Sequence, residues 1–280
     1  MDDITFTRRT FAATSLVAGF TLAAGPLRAG AIITDSNGLV AGEAKVPGSD
    51  GTIPAYRAHP ATGVHWPVVL VTQEIFGIHE HIRDICRRFA KRGYYAIAPS
   101  LYARYGDPAG YTDMHKLVAD IVSKVPDAEV MSDLDASAKF AGGEGADSAR
   151  LAIIGFCWGG RIVWLYAAHN PALKAAAAFY GALRAPTPRS PLRPLYPLDL
   201  VAKIDAPVIA FYGGKDQGIP VSDVEAMRAA LAQAGKRNTD ITVFMDAEHG
   251  FFADYRPSYN EADAKLAWAK TLAWFQRHGV

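Results

Sequence analysis

"LAIIGFCWGGRIV", residues 151–163, decides how the chain is read. It runs apolar from Leu151 to Phe156, then turns into glycine-rich sequence, with one of only two cysteines at the turn. The apolar run suits a strand buried on both faces, and "GGRIVWLYAAH" after it suits a helix. So short a strand-to-helix reversal strains the residue at its apex, and only small neighbours let the helix approach the strand. Gly155-Phe156-Cys157-Trp158-Gly159 is therefore a G-x-S-x-G nucleophile elbow with cysteine in place of serine. The helix start favours developing negative charge at the Trp158 amide, and it favours a thiolate at Cys157. The competing reading is a buried cysteine packed as a small hydrophobe, and partners elsewhere in the chain decide between the two.

Strands and helices alternate on both sides of this turn. "GLVAGEAKV" and "GTIPAYRAH" predict an opening strand pair, and "PVVLVT" (67–72), "YYAIAP", "KAAAAFYG", "PVIAFYG" and "DITVFMD" predict further strands. Helices are predicted over "HEHIRDICRRFAKRG", 112–124, 127–141, "SDVEAMRAALAQAG" (capped by Ser222 or Asp223, stopped by Gly235) and "EADAKLAWAKTLAWFQRH". The five-proline stretch 184–200 reads as an irregular connection. This pattern predicts one α/β domain over residues 32–280, a mostly parallel sheet with helices on both faces. Sites in such sheets form at the carboxyl ends of strands.

Two of those ends supply partners. "FYGGKDQGIP" offers Asp216 and "FMDAEHGFF" offers His249. Cys157, Asp216, His249 is the nucleophile–acid–base chain order of α/β-hydrolases. His249 would take or hold the thiol proton, and Asp216 would fix the imidazole tautomer and stabilise its charge.

The chain resembles the dienelactone hydrolase family, the carboxymethylenebutenolidases. The resemblance rests on "QEIFG" (73–77), "PSLYAR" (99–104), "GFCWGG" (155–160), "FYG" (179–181), "GGKD" (213–216), and "EHGF" with "YRPSY" near the end, and it spans roughly residues 38–278. It implies a lactone or ester hydrolase working through an acyl-thioester. It further implies that Glu74 holds the cysteine proton at rest and removes it when substrate arrives, which would protect the thiol from oxidation. By the same resemblance, the Ile75 and Trp158 amides form the oxyanion hole, and Arg104 binds a substrate carboxylate. A second family arginine follows the histidine closely. Here that position holds Phe252 or Ala253, the nearest candidate is Arg256, and Gly250 replaces a family serine. Tyr102 and Tyr180 are further candidates to line the site. A thioesterase, a broad carboxylesterase and a non-catalytic binder of small acids are the alternatives on the same fold.

Other signals narrow the reading. Formal net charge is +1, which gives no reason to expect nucleic acid or an anionic membrane surface as partner. His79-Glu80-His81 lacks the spacing of a metal motif, and no metal or cofactor is expected. Cys86 falls on an apolar helix face and reads as core. Residues 1–31 carry Arg8-Arg9, a short apolar run and Ala29-Gly30-Ala31. That is the layout of a cleaved twin-arginine export signal, with cleavage near Ala31. The apolar run is too short to span a membrane. The expectation is a monomeric periplasmic or secreted enzyme whose partners are the export machinery and a small lactone or ester, itself carrying a carboxylate.

Overall fold

The computed structural model describes residues 31–280, so the export signal lies outside the described residues except for Ala31. Eight strands form one sheet: β1 Leu39–Pro47, β2 Thr52–Pro60, β3 Pro67–Thr72, β4 Tyr95–Pro99, β5 Asp147–Phe156, β6 Ala175–Phe179, β7 Val208–Gly213 and β8 Thr239–Phe244. Their order across the sheet is β1-β2-β4-β3-β5-β6-β7-β8. The β1–β2 and β2–β4 pairs are antiparallel, and the rest of the sheet is parallel. The main helices are α1 Glu80–Ala90, α2 Met114–Asp120, α3 Asp127–Gly143, α4 Trp158–His169, α5 Val221–Gln233 and α6 Glu261–Arg277.

The central strands β4, β6 and β7 are buried along their whole length, and β3 is buried after its first residue, as helices on both faces require. "KAAAAFYG" is ambiguous by periodicity but is a strand, because its alanines stack between β5 and β7. The chain passes from β3 outward to β4, then returns to lay β5 on the other side of β3. That reversal opens a crevice between the carboxyl ends of β3 and β5, the usual place for a ligand in such sheets. Glu74 follows β3 and Cys157 follows β5, so the topology brings these residues to one crevice.

Three local expectations are corrected. The helix expected over 112–124 stops at Asp120, and a 3-10 turn follows at Val122–Lys124. Buried Ile121, Val122 and Val125 draw the chain inward there, and Pro126 bars further helix. Helix α5 begins at Val221 behind Pro220, with no side-chain cap from Ser222 or Asp223. Asp223 instead accepts from Arg184 Nε at 2.8 Å. The proline-rich stretch contains one helical turn, Pro197–Leu200, closed by a capping box between Tyr196 and Asp199. Buried Arg161 pins this stretch by holding both Asp127 oxygens at 2.7 Å, donating to Leu195 O at 2.6 Å and stacking over the Tyr196 ring.

Candidate active site

Cys157 sits between β5 and α4 with φ +56° and ψ −114°, a left-handed backbone that non-glycine residues rarely adopt. The surrounding glycines make the turn possible. A Cβ on Gly155 would lie 1.9 Å from Thr72 Oγ1, one on Gly159 would lie 2.5 Å from Gln73 O, and one on Gly160 would lie 2.3 Å from Phe179 O. Helix α4 is thus pressed against the ends of β3 and β6, which holds the half-buried sulfur above the sheet. Gly160→Ala is expected to destabilise the fold by about 2 kcal/mol or more, because rigid backbone must move. The urea midpoint measures this, and an unchanged midpoint would contradict the close approach.

Behind Cys157, His249 Nδ1 meets Asp216 Oδ2 at 2.7 Å. The other Asp216 oxygen accepts from the Gly218 and Ile219 amides at 2.8 and 3.0 Å, so the carboxylate is fixed in orientation. Burial alone would raise the Asp216 pKa, but the His249 charge and these donors lower it. Burial likewise opposes a charged His249, yet Asp216 and then Cys157 raise its pKa to about 10. Its other nitrogen, Nε2, is buried, and Cys157 is the remaining side chain that raises the imidazole pKa. The Tyr180 ring packs edge-on against the imidazole at 5.0 Å.

Glu74 is fully buried. Tyr255 donates its hydroxyl to Glu74 Oε2, and His79 Nε2 lies 3.4 Å from the same oxygen. Burial pushes the Glu74 carboxyl up, but His79 and the Arg256 charge outweigh it and hold the pKa at about 2. Glu74 Oε1 has no partner. Tyr255 in "YRPSY" and His79 in "HEH" carry no role legible from sequence, because they meet Glu74 only in the folded chain. His79 and His81 do stack, at 6.0 Å between ring centres, because His79 precedes α1 instead of lying within it. Among the described residues no group of three or more His, Cys, Asp or Glu is arranged to hold a metal ion.

The Ile75 and Trp158 amides donate to no protein group among the described residues. Tyr102 packs edge-on against Trp158 at 5.1 Å, with its hydroxyl buried beside Gln73. Arg104 departs from its expected role. Its guanidinium is taken up by Asp50 (Nη2 at 2.6 Å), Asp133 (Nη1 at 2.7 Å) and Glu129, so three carboxylates already occupy the donors a substrate acid would need. Arg256 is different: it is 3 % exposed, its charge acts on Glu74 and Cys157, and its Nη2 has no partner. The Gly250 substitution accounts for its position. Gly250 has φ +76°, and a Cβ there would lie 2.2 Å from Arg256 Nη1. An arginine six residues along fills the space that a serine at 250 would take.

Known proteins similar to this chain point to one family. The sequence pattern of the dienelactone hydrolase family matches residues 53–279. A Methylorubrum extorquens protein, assigned by inference as a carboxymethylenebutenolidase, is 56% identical over 278 residues, covering 99% of this chain and 94% of its own. An Escherichia coli K12 protein with the same assignment is 49% identical over 268 residues, covering 95% and 98%. The crystal structure of a Klebsiella pneumoniae protein, assigned by inference as a dienelactone hydrolase, superposes with a TM-score of 0.83 at 51% identity, covering 85% of this chain and 99% of its own. These relatives carry the α/β-hydrolase fold and hydrolase character over to the present chain, which belongs to the dienelactone hydrolase family.

Proposed function

We propose that the protein opens a lactone or cleaves an ester that bears a carboxylate, through Cys157, His249 and Asp216. The observation that carries this reading is the Asp216–His249 pair at 2.7 Å behind a cysteine held at φ +56°. Cys157 Sγ attacks the acyl carbonyl, and its proton resides on His249, whose charge Asp216 stabilises. The amides of Ile75 and Trp158 receive the oxyanion. Collapse of the tetrahedral adduct leaves an acyl-thioester and an alcohol, which takes its proton from His249. Water, deprotonated by His249, then releases the acid. Intact mass after brief mixing with an activated ester tests this. A stoichiometric acyl adduct on the Cys157 peptide is expected, and turnover without any adduct would overturn the thioester. A panel of dienelactone, simple lactones, thioesters and short aryl esters then separates a lactonase from a broad esterase.

Buried Arg256 is the group best suited to the substrate acid, since its Nη2 lacks a partner. Arg256→Met is expected to raise KM for an acid-bearing lactone about tenfold or more, with little change for a neutral aryl ester. Equal losses on both substrates would remove the acid-binding role. Glu74 is ionised throughout the working pH range, since its pKa is held at about 2. It can therefore accept the thiol proton only transiently. Glu74→Gln is expected to lower kcat about 100-fold while the unfolding midpoint is kept, and unchanged kinetics would exclude a proton role.

We further propose that the chain is exported by the twin-arginine route, on the strength of Arg8-Arg9, the apolar run and the Ala29-Gly30-Ala31 exit. Among the described residues no helix is long and apolar enough to cross a membrane. Cell fractionation tests the location, and a full-length cytoplasmic product would overturn it.

A further inference from the structure

The first described residues run along α1 and bind acidic side chains. Ile32 N donates to Asp254 Oδ2 at 3.2 Å, and Thr34 N donates to Asp84 Oδ1 at 2.5 Å. Arg87 Nε donates to Thr34 O at 2.7 Å, and Lys91 Nζ reaches Asp35 and the Asn37 carbonyl at 2.8 Å each. These acceptors are unusual for a surface segment, because the Asp84 and Asp254 side chains are only 1% and 2% exposed. Asp254 also takes Arg88 Nη2 at 2.6 Å and His81 Nδ1 at 3.1 Å. In this cluster the buried carboxylates of Asp84 and Asp254 meet the guanidiniums of Arg87 and Arg88, while partly exposed Glu80 pairs with Arg87 at the rim. A buried carboxylate gains from each added charged donor, and Asp254 Oδ2 already accepts from the Ile32 nitrogen, so a charge on that nitrogen strengthens the contact.

The sequence marks the same residue independently. Cleavage after Ala29-Gly30-Ala31 makes Ile32 the first residue. Water is added across the Ala31–Ile32 bond by the exporting cell's signal-removing peptidase: oxygen goes to the Ala31 carboxylate, and protons go to the Ile32 nitrogen. One amide donor becomes an ammonium with three donors and a full charge, already within reach of Asp254. We propose that Ala31–Ile32 is the processing site of this chain, and that the resulting Ile32 α-ammonium closes an ion pair with buried Asp254. The proposal rests on the export reading. The ammonium acts as a positioning group: Asp254 is followed directly by Tyr255, the donor to Glu74, and by Arg256, so fixing Asp254 steadies both beside Cys157. The Ile32 side chain is itself exposed, so its nitrogen makes the contact and not its shape.

The groups facing this amine are Asp254, Asp84, Arg88 and His81, with Tyr259 close behind. An ion pair with Asp254 would hold the α-amine pKa above its ordinary value of about 7.7–8.0. A raised folded value means that the pair's stability is complete below that ordinary pKa and is lost as pH rises through the folded one.

The test expresses the full chain in a bacterium with twin-arginine export and takes the intact mass of the periplasmic product. Its α-amine is then pulse-labelled with an amine-reactive reagent across a range of pH, read at the first peptide. A chain starting at Ile32 is expected. At about pH 7 its α-amine should label about tenfold slower than the same chain in urea, the effect of a one-unit rise in pKa. Asp254→Asn should restore fast labelling. If that variant does not fold, the pH dependence of labelling in the wild type still reports the α-amine pKa. A full-length cytoplasmic product would overturn the export reading and this inference with it. Export with cleavage at another bond would leave export standing and overturn the processing site. An Ile32 start with an ordinary α-amine pKa would overturn the ion pair.

Discussion

Cys157→Ala is expected to reduce hydrolysis of an activated ester by about a millionfold in kcat, close to the residual rate that a bare oxyanion hole supports. Alanine keeps the Cβ, so the strain at φ +56° and the close packing of α4 are unchanged. The unfolding midpoint should therefore stay near that of the wild type. Loss of activity then cannot be ascribed to loss of fold. The same variant should give no acyl adduct and no labelling by a thiol reagent in the folded state, because Cys86 is fully buried and its thiol pKa is raised by burial. Stopped-flow rates and intact mass together check this. Turnover above about one hundredth of the wild-type rate, well beyond what the oxyanion hole supplies, would mean that another group is the nucleophile.

The elbow was legible because its physics is local. Gly155, Gly159 and Gly160 are dictated by backbone atoms less than 3 Å from where their side chains would be, and such a constraint leaves a mark in a short string of residues. Asp216 and His249 could be read because strand ends are visible in the apolar runs that precede them. Arg104 misled because a motif records which residue is present but not what surrounds it. Asp50 comes from the turn after β1 and Asp133 from α3, and neither is near Arg104 in sequence. The setting of Glu74 was hidden for the same reason. Tyr255 reaches it across 181 positions, and His79 turns toward it only because α1 begins one residue later. Arg256 and Gly250 explain one another only in three dimensions, where one side chain occupies the place of the other.

Asp216→Asn is expected to lower kcat/KM about ten-thousandfold, with a change in pH dependence that separates it from a simple folding defect. Asparagine can offer an amide N–H to Nδ1, which holds the imidazole in the wrong tautomer, and it carries no charge to stabilise the imidazolium. In the wild type, burial disfavours the charged ring but Asp216 and Cys157 raise its pKa from 6.5 to about 10. A raised folded pKa contributes stability that is complete below the ordinary value and lost as pH rises through about 10. Asp216 has the opposite sign: its lowered pKa contributes stability above its ordinary value of 3.8, lost as pH falls through the folded one. The stability gap between wild type and variant should thus be widest from above the Asp216 titration up to about pH 6.5, and should close toward pH 10. The alkaline limb of kcat/KM should follow the same logic. It follows His249, falls near pH 10 in the wild type, and moves down toward the ordinary histidine range once the carboxylate is gone. Urea midpoints and rate profiles across pH measure both effects. A variant that lost activity but kept its alkaline limb at pH 10 would show that something other than Asp216 sets the charge on His249.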